Sequence, residues 1–116
     1  MGDCLFCKIV KGEVPAKIVY RDEEVVAFYD IHQVAPVHVL VIPVKHIESL
    51  AKAAENDLLT LGKIQVIISR LAKELKIADG FRVLVANGKK GGQSVFHLHY
   101  HLIGGWKDEA PRMETR

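Results

Sequence analysis

A chain of 116 residues, 49% hydrophobic and 26% charged, suits one modest core and is too apolar for a disordered segment. A net charge of +2, on basic residues scattered from Lys8 to the pair Lys89 and Lys90, argues against a nucleic-acid or anionic-membrane partner. No apolar run nears the ~20 residues of a membrane span, and Met1-Gly2-Asp3-Cys4 lacks the features of a secretory signal; a soluble, cytoplasmic protein is expected.

Gly2 invites a myristoylation check, but Leu5-Phe6 brings no Ser or Thr to the sixth position. Residues 4–11 are short and mixed, closed by Gly12 with Pro15 beyond, and predict a helical turn or two. Residues 16–21 and 25–31 are β-branched and aromatic runs around Asp22-Glu23-Glu24, a strand–turn–strand signature. Residues 37–44 predict a third strand, and Pro43 marks an edge or a strand end.

Two helices are expected next. Residues 48–54 are rich in helix formers, and Asp57 can cap a longer helix running to about Lys76. Leu58, Leu61, Ile64, Ile68, Leu71 and Leu75 recur at helical spacing and define one buried stripe. Val66 and Ile67 lie off it, which fits contact with another subunit or deeper burial in the monomer. Asp79-Gly80 breaks the pattern and residues 81–85 predict a fourth strand. The glycine-rich stretch from Asn87 to Ser94 leads into a last strand over residues 95–103. After Gly104-Gly105 the tail is polar apart from Trp106 and is expected to be loose. Strands, two helices and strands again, without repeat or linker, make an α+β domain on an antiparallel sheet.

The chemistry concentrates in His97-Leu98-His99-Tyr100-His101. Side chains alternate along a strand, so the three histidines are expected on one face, with Phe96, Leu98, Tyr100 and Leu102 directed to the core. Three imidazoles suit either a catalytic zinc with an open fourth position or an imidazole that attacks phosphorus while its neighbours orient it and handle protons. The preceding Gly91-Gly92-Gln93-Ser94 favours phosphorus, because its glycines admit a close ligand and its polar groups suit phosphate oxygens. The only cysteines, Cys4 and Cys7, form a Cys-x-x-Cys pair, which in a reducing compartment suggests metal or redox chemistry over a structural disulfide.

Residues 97–103 resemble the histidine triad (HIT) superfamily motif, three histidines alternating with apolar residues and closed by two more. The likeness extends through Cys4-x-x-Cys7-Lys8-Ile9, Val14-Pro15-Ala16, Ala27-Phe28-x-Asp30-Ile31, Ala35-Pro36-x-His38 and Val41-Ile42-Pro43-x-Lys45-His46-Ile47, and is similar to the Hint branch. The resemblance implies a single HIT domain over residues 1–116. It implies a HIT-like fold, a roughly five-stranded antiparallel sheet with two helices, extended across a homodimer. It also implies a hydrolase of purine nucleoside phosphoramidates and related adenylates, working through a nucleotidyl-histidine intermediate.

Site roles follow from the same resemblance. His99 is the implied nucleophile, and His101 the phosphate contact and proton donor to the leaving group. His97 completes the triad, and His38 supports it from a neighbouring strand. Asp30 would accept from the ribose hydroxyls. Phe6, Phe28, Ile31 and Leu40 would form the purine slot, and Gln93 and Ser94 would meet the phosphate or leaving group. Cys4, Cys7, His46 and His97 resemble the ligands of a structural zinc that the chemistry does not require.

The pattern departs from the Hint branch at Ala86, seven residues before Gln93, where an asparagine is expected; Asn87 either substitutes for it or the contact is missing. The tail also differs in composition. Alternative functions are dinucleoside polyphosphate hydrolysis, nucleotide sensing with incidental turnover, and a histidine-only zinc enzyme.

Overall fold

The structure, a computed structural model, describes residues 3–112; Met1, Gly2 and residues 113–116 lie outside it, and with Gly2 the reading of a lipidation site. Helix α1 spans Leu5–Val10, and strands β1 (Ile18–Arg21), β2 (Val25–Tyr29) and β3 (Val37–Pro43) follow. Helix α2 covers Leu58–Glu74, ahead of β4 (Phe81–Leu84) and β5 (Tyr100–Gly104). The five strands form one sheet in the order β1-β2-β3-β5-β4, antiparallel at every junction. This is the expected α+β fold.

The sheet is sandwiched, and strand alternation decides which residue meets which layer. Val25, Ala27, Val39 and Val41 face α2 and join Ile64, Ile68, Leu71, Leu98 and Leu102 in the larger core. Val26, Phe28, Leu40 and Ile42 face the other way and pack with Phe6 and Ile9 of α1. Because β2 and β3 are covered on both sides, their sequences read as almost unbroken apolar runs. Pro43 ends β3, opposite Val25, and the bond across to β2's approach is made one residue on, by Val44 N–H to the Glu24 carbonyl. Among the described residues no helix is long and apolar enough to cross a membrane.

Several local expectations change. Residues 48–54 do not form an α-helix; only a 3-10 turn, Leu50–Lys52, occurs there, with another at Glu55–Asp57. The Ala51 N–H donates to Asn87 Oδ1, and the Glu48 carbonyl accepts from Gln93 Nε2, so distant side chains hold groups a helix would have used. Asp57 makes no side-chain cap on α2. Its carboxylate instead accepts from Ala54 N–H and pairs with Lys45 at 2.7 Å. Leu58 stays exposed, while Ile67 is buried in the monomer; Val66 remains 63% exposed.

The last strand is regular only from Tyr100, so residues 95–99 form an irregular approach to it. Phe96 is consequently 47% exposed and outside the core it was expected to enter. The tail is held at Trp106 and Pro111, since Arg82 lies over the Trp106 ring, 5.5 Å from its centroid, and donates to the Pro111 carbonyl.

Candidate functional site

On the α1 side of the sheet, the layer stops short of full coverage and leaves a cleft of about 520 Å³. Phe6, Phe28 and Leu40 form its apolar lining, and Asp30, Ser94, His99 and His101 bring polar groups to it. Ile31 lines the cleft as well but stands 89% exposed at its rim.

The hydrogen bonds fix how each imidazole presents its nitrogens, because a carbonyl can only accept and a backbone N–H can only donate. His99 Nδ1 lies 2.8 Å from the His97 carbonyl, so Nδ1 carries the proton and the neutral ring has its lone pair on Nε2. Val34 N–H donates to His38 Nδ1 at 3.2 Å, which puts the His38 proton on Nε2. His38 Nε2–H then donates to His101 Nδ1 at 2.8 Å, with Asp30 Oδ2 at 3.4 Å beside it. His101 therefore carries its own proton on Nε2. The neighbours His99 and His101, 5.0 Å between ring centroids, present opposite functions: one lone pair, one N–H.

Burial keeps His38 and His101 neutral. It pushes His101 down to about 4, helped by the neighbouring His99 and His38 and opposed by Asp30. His38 is lowered by burial too, against the pull of Asp30.

His97 has a different place from its two partners. Its Nε2–H donates to the Pro43 carbonyl at 2.8 Å, so its Nδ1 lone pair faces Cys4 Sγ at 3.4 Å and Cys7 Sγ at 3.5 Å. His46 Nδ1 lies 3.3 Å from Cys7 Sγ. The four donor atoms of Cys4, Cys7, His46 and His97 all lie within 4.8 Å of one another. A two-sulfur, two-nitrogen set with a ring nitrogen aimed inward fits a closed tetrahedral metal site. Burial, reinforced by the Cys4 thiol, pushes the Cys7 thiol up, a cost that a bound cation would reverse. Among the described residues no comparable group joins His97, His99 and His101, so a tris-histidine zinc centre has no geometric support.

Two residues expected to meet the nucleotide, Gln93 and Asn87, lie outside the cleft lining. Gln93 is buried; its Oε1 accepts from Gly88 N–H, and its amide donates to the Glu48 and Val95 carbonyls. It is a strut for the loop, whose tight path uses positive φ at Gly88 (73°) and Gly92 (89°). Asn87 Oδ1 accepts from Ala51 N–H, and neither Asn87 nor Gln93 lines the cleft. Sequence reading missed Lys17, Tyr29 and His32, which do line it. Only strand pairing, which sets Tyr29 beside Lys17 through a 3.1 Å backbone bond, brings the first two together.

A paired-histidine cleft on this sheet defines a HIT domain: residues 11–108 match that family, and the chain belongs to it. It is 48% identical over 104 residues to Protein HitA of Neisseria gonorrhoeae, covering 90% of this chain and 97% of that one. A 14 kDa zinc-binding protein of Zea mays is 46% identical over 103 residues, 87% of this chain and 80% of the relative. Among solved structures, a HIT family hydrolase from Legionella pneumophila superposes with a TM-score of 0.89 at 39% identity, covering 94% of this chain and 98% of the other. A histidine triad nucleotide-binding protein from Candida albicans superposes at 0.79 with 33% identity, over 95% and 87% of the two chains.

Proposed function

We propose that the protein is a Hint-type hydrolase that cleaves the P–N bond of purine nucleoside phosphoramidates and related adenylates through a nucleotidyl-His99 intermediate. The observation that carries this reading is the opposed pair, a free Nε2 on His99 beside an Nε2–H on His101. The hydrolase and nucleotide-binding relatives support it.

In this reaction Phe6, Phe28 and Leu40 hold the purine, and the Asp30 carboxylate accepts from the ribose hydroxyls. His99 Nε2 attacks the α-phosphorus, forming an N–P bond as the bond to the leaving nitrogen breaks. His101, which takes up a solvent proton as the anionic substrate binds, gives its Nε2 proton to the leaving nitrogen, which departs as an amine, and the ring returns to neutral. An anionic phosphate alongside favours protonation of His101, against the burial that keeps it neutral in the free protein. Water then attacks phosphorus, the His99–phosphorus bond breaks, and one proton returns to solvent. His38 holds His101 in the donating tautomer and Ser94 meets a phosphate oxygen.

The same reading gives Cys4, Cys7, His46 and His97 a structural zinc, in line with the zinc-binding relative. Bound there, the ion would cross-link α1 to the sheet and take no part in the reaction. It also gives a homodimer, supported by the exposed apolar residues Phe81, Val83 and Leu84 on edge strand β4 and by Val66 on α2. Sedimentation at micromolar concentration should give twice the 12.9 kDa chain mass.

The deciding experiment is turnover of an adenosine phosphoramidate, with a denaturing alkaline quench and mass spectrometry. A nucleoside monophosphate adduct on the His99 peptide is expected, lost together with turnover in His99→Ala. Turnover near wild type in that variant would overturn the assignment.

A further inference from the structure

The two cysteines stand on one turn of chain. Cys4 is the residue before α1 and Cys7 the third residue within it, and at a helix start the first side chain folds back over the third. Cys7 N–H accordingly donates to Cys4 Sγ at 3.4 Å, and the two sulfurs lie within 4.8 Å of each other. Residues so placed have Cα atoms about 5 Å apart, inside the roughly 4.4–6.8 Å that a disulfide spans. Rotation about the two Cα–Cβ bonds is then enough to bring the sulfurs together.

Both thiols are half-buried, so neither is sealed into the core. The groups that face them are imidazoles. His97 Nδ1 lies 3.4 and 3.5 Å from the two sulfurs, and His46 Nδ1 lies 3.3 Å from Cys7 Sγ. A sulfur joined to another sulfur has no thiolate to offer a metal. Closing the pair would leave only His46 and His97, two donors where a closed tetrahedral site needs four. Metal binding and disulfide formation are therefore exclusive uses of the same atoms.

Resting on the metal reading above, we propose that Cys4 and Cys7 form a reversible dithiol–disulfide site that low-molecular-weight disulfides oxidise, and that this oxidation empties the four-ligand corner. One cysteine sulfur attacks a sulfur of the small disulfide, forming a mixed disulfide and expelling one thiolate. The other cysteine attacks the protein sulfur of that bond, closing Cys4–Cys7 and expelling the second thiolate. The protein gives up two electrons, and the small disulfide is reduced to two thiols. Their two protons come from Cys4 and Cys7 in metal-free protein, and from solvent where a cation had displaced them. The cation leaves with its charge unchanged. Excess thiol runs the exchange backwards and restores the ligands.

Oxidised glutathione, applied to zinc-loaded and zinc-free protein, tests this by intact mass spectrometry and a chromogenic zinc chelator, with chelator alone as the control. Wild type should lose two hydrogens without keeping a glutathione adduct, and should release one zinc per disulfide formed. Dithiothreitol and zinc should restore both. Cys7→Ser, which has no second thiol, should instead keep glutathione on Cys4. His46→Gln, which retains both thiols, should close the disulfide as wild type does. Thiols that stay reduced in zinc-free wild type, or a lasting glutathione adduct on it, would overturn the proposal. A disulfide that forms with zinc still bound would overturn it as well. Protein that takes up no zinc yet closes the disulfide would sink the metal reading and the emptying of the corner with it, while the exchange site itself stands.

Discussion

The two faces of the sheet use the same strands for opposite ends. On the α2 face, Ile64, Ile67, Ile68 and Leu71 close over Val25, Ala27, Val39 and Val41 in one buried apolar cluster. On the α1 face, a helix of six residues covers less than the sheet offers, and histidines and an aspartate occupy the gap. Stability is therefore concentrated behind the sheet and chemistry in front of it. A strand residue moved by one position would exchange these roles.

Substitutions should separate the faces. His99→Ala should lower kcat/KM by at least ~10⁴-fold while circular dichroism still reports a folded domain. Leu71→Ala should do the reverse, costing about 2–5 kcal/mol of unfolding free energy in denaturant titration while leaving turnover per folded molecule unchanged. A collapse of activity in Leu71→Ala at temperatures where it remains folded would show that the faces are coupled.

His38→Asn sharpens the front face. It should reduce kcat by ~10²-fold with little change in KM, because His101 loses the donor that fixes its tautomer while the slot persists. A KM effect of the same size would assign His38 to substrate binding instead. Cys7→Ser tests the corner where α1 is tied down. Metal content by mass spectrometry should fall below one equivalent per chain and the melting temperature should drop, whereas turnover of the folded fraction should change least of all.

The smallest effect expected is on the pH dependence of stability. His38 and His101 lie below their ordinary value of 6.5 in the folded state, His101 at about 4. The unfolded chain therefore binds protons that the folded chain refuses. The contribution of these neutral rings is fully present above pH 6.5 and is lost as the pH falls from there through about 4. His101→Gln should flatten that acid slope; parallel slopes for the two proteins would remove His101 from the account.

The contrast between the faces also explains what could be read from sequence. The β-branched and aromatic runs of β2 and β3 and the helical stripe of α2 are local patterns, and they gave the sheet and its cover. His97, His99 and His101 announced the site by their spacing. The errors fell where distant partners decide. Residues 48–54 have helical composition, but Gln93 and Asn87 take the Glu48 carbonyl and the Ala51 N–H. The same bonds engage Gln93 and Asn87, two residues that the family resemblance set at the nucleotide, outside the cleft lining. Lys17 carries no local signal at all; only the register of β1 against β2 brings it to the cleft.

The partner of His99 Nδ1–H is a backbone carbonyl, where many attacking imidazoles have a carboxylate. In the reaction proposed above, a ring whose Nε2 bears phosphorus is a cation, and a neutral carbonyl stabilises it less than an anion would. The phosphorylated imidazole is accordingly a better leaving group, so the covalent species is built for a short lifetime. On that proposal the protein releases its nucleotide promptly and is poorly suited to storing it.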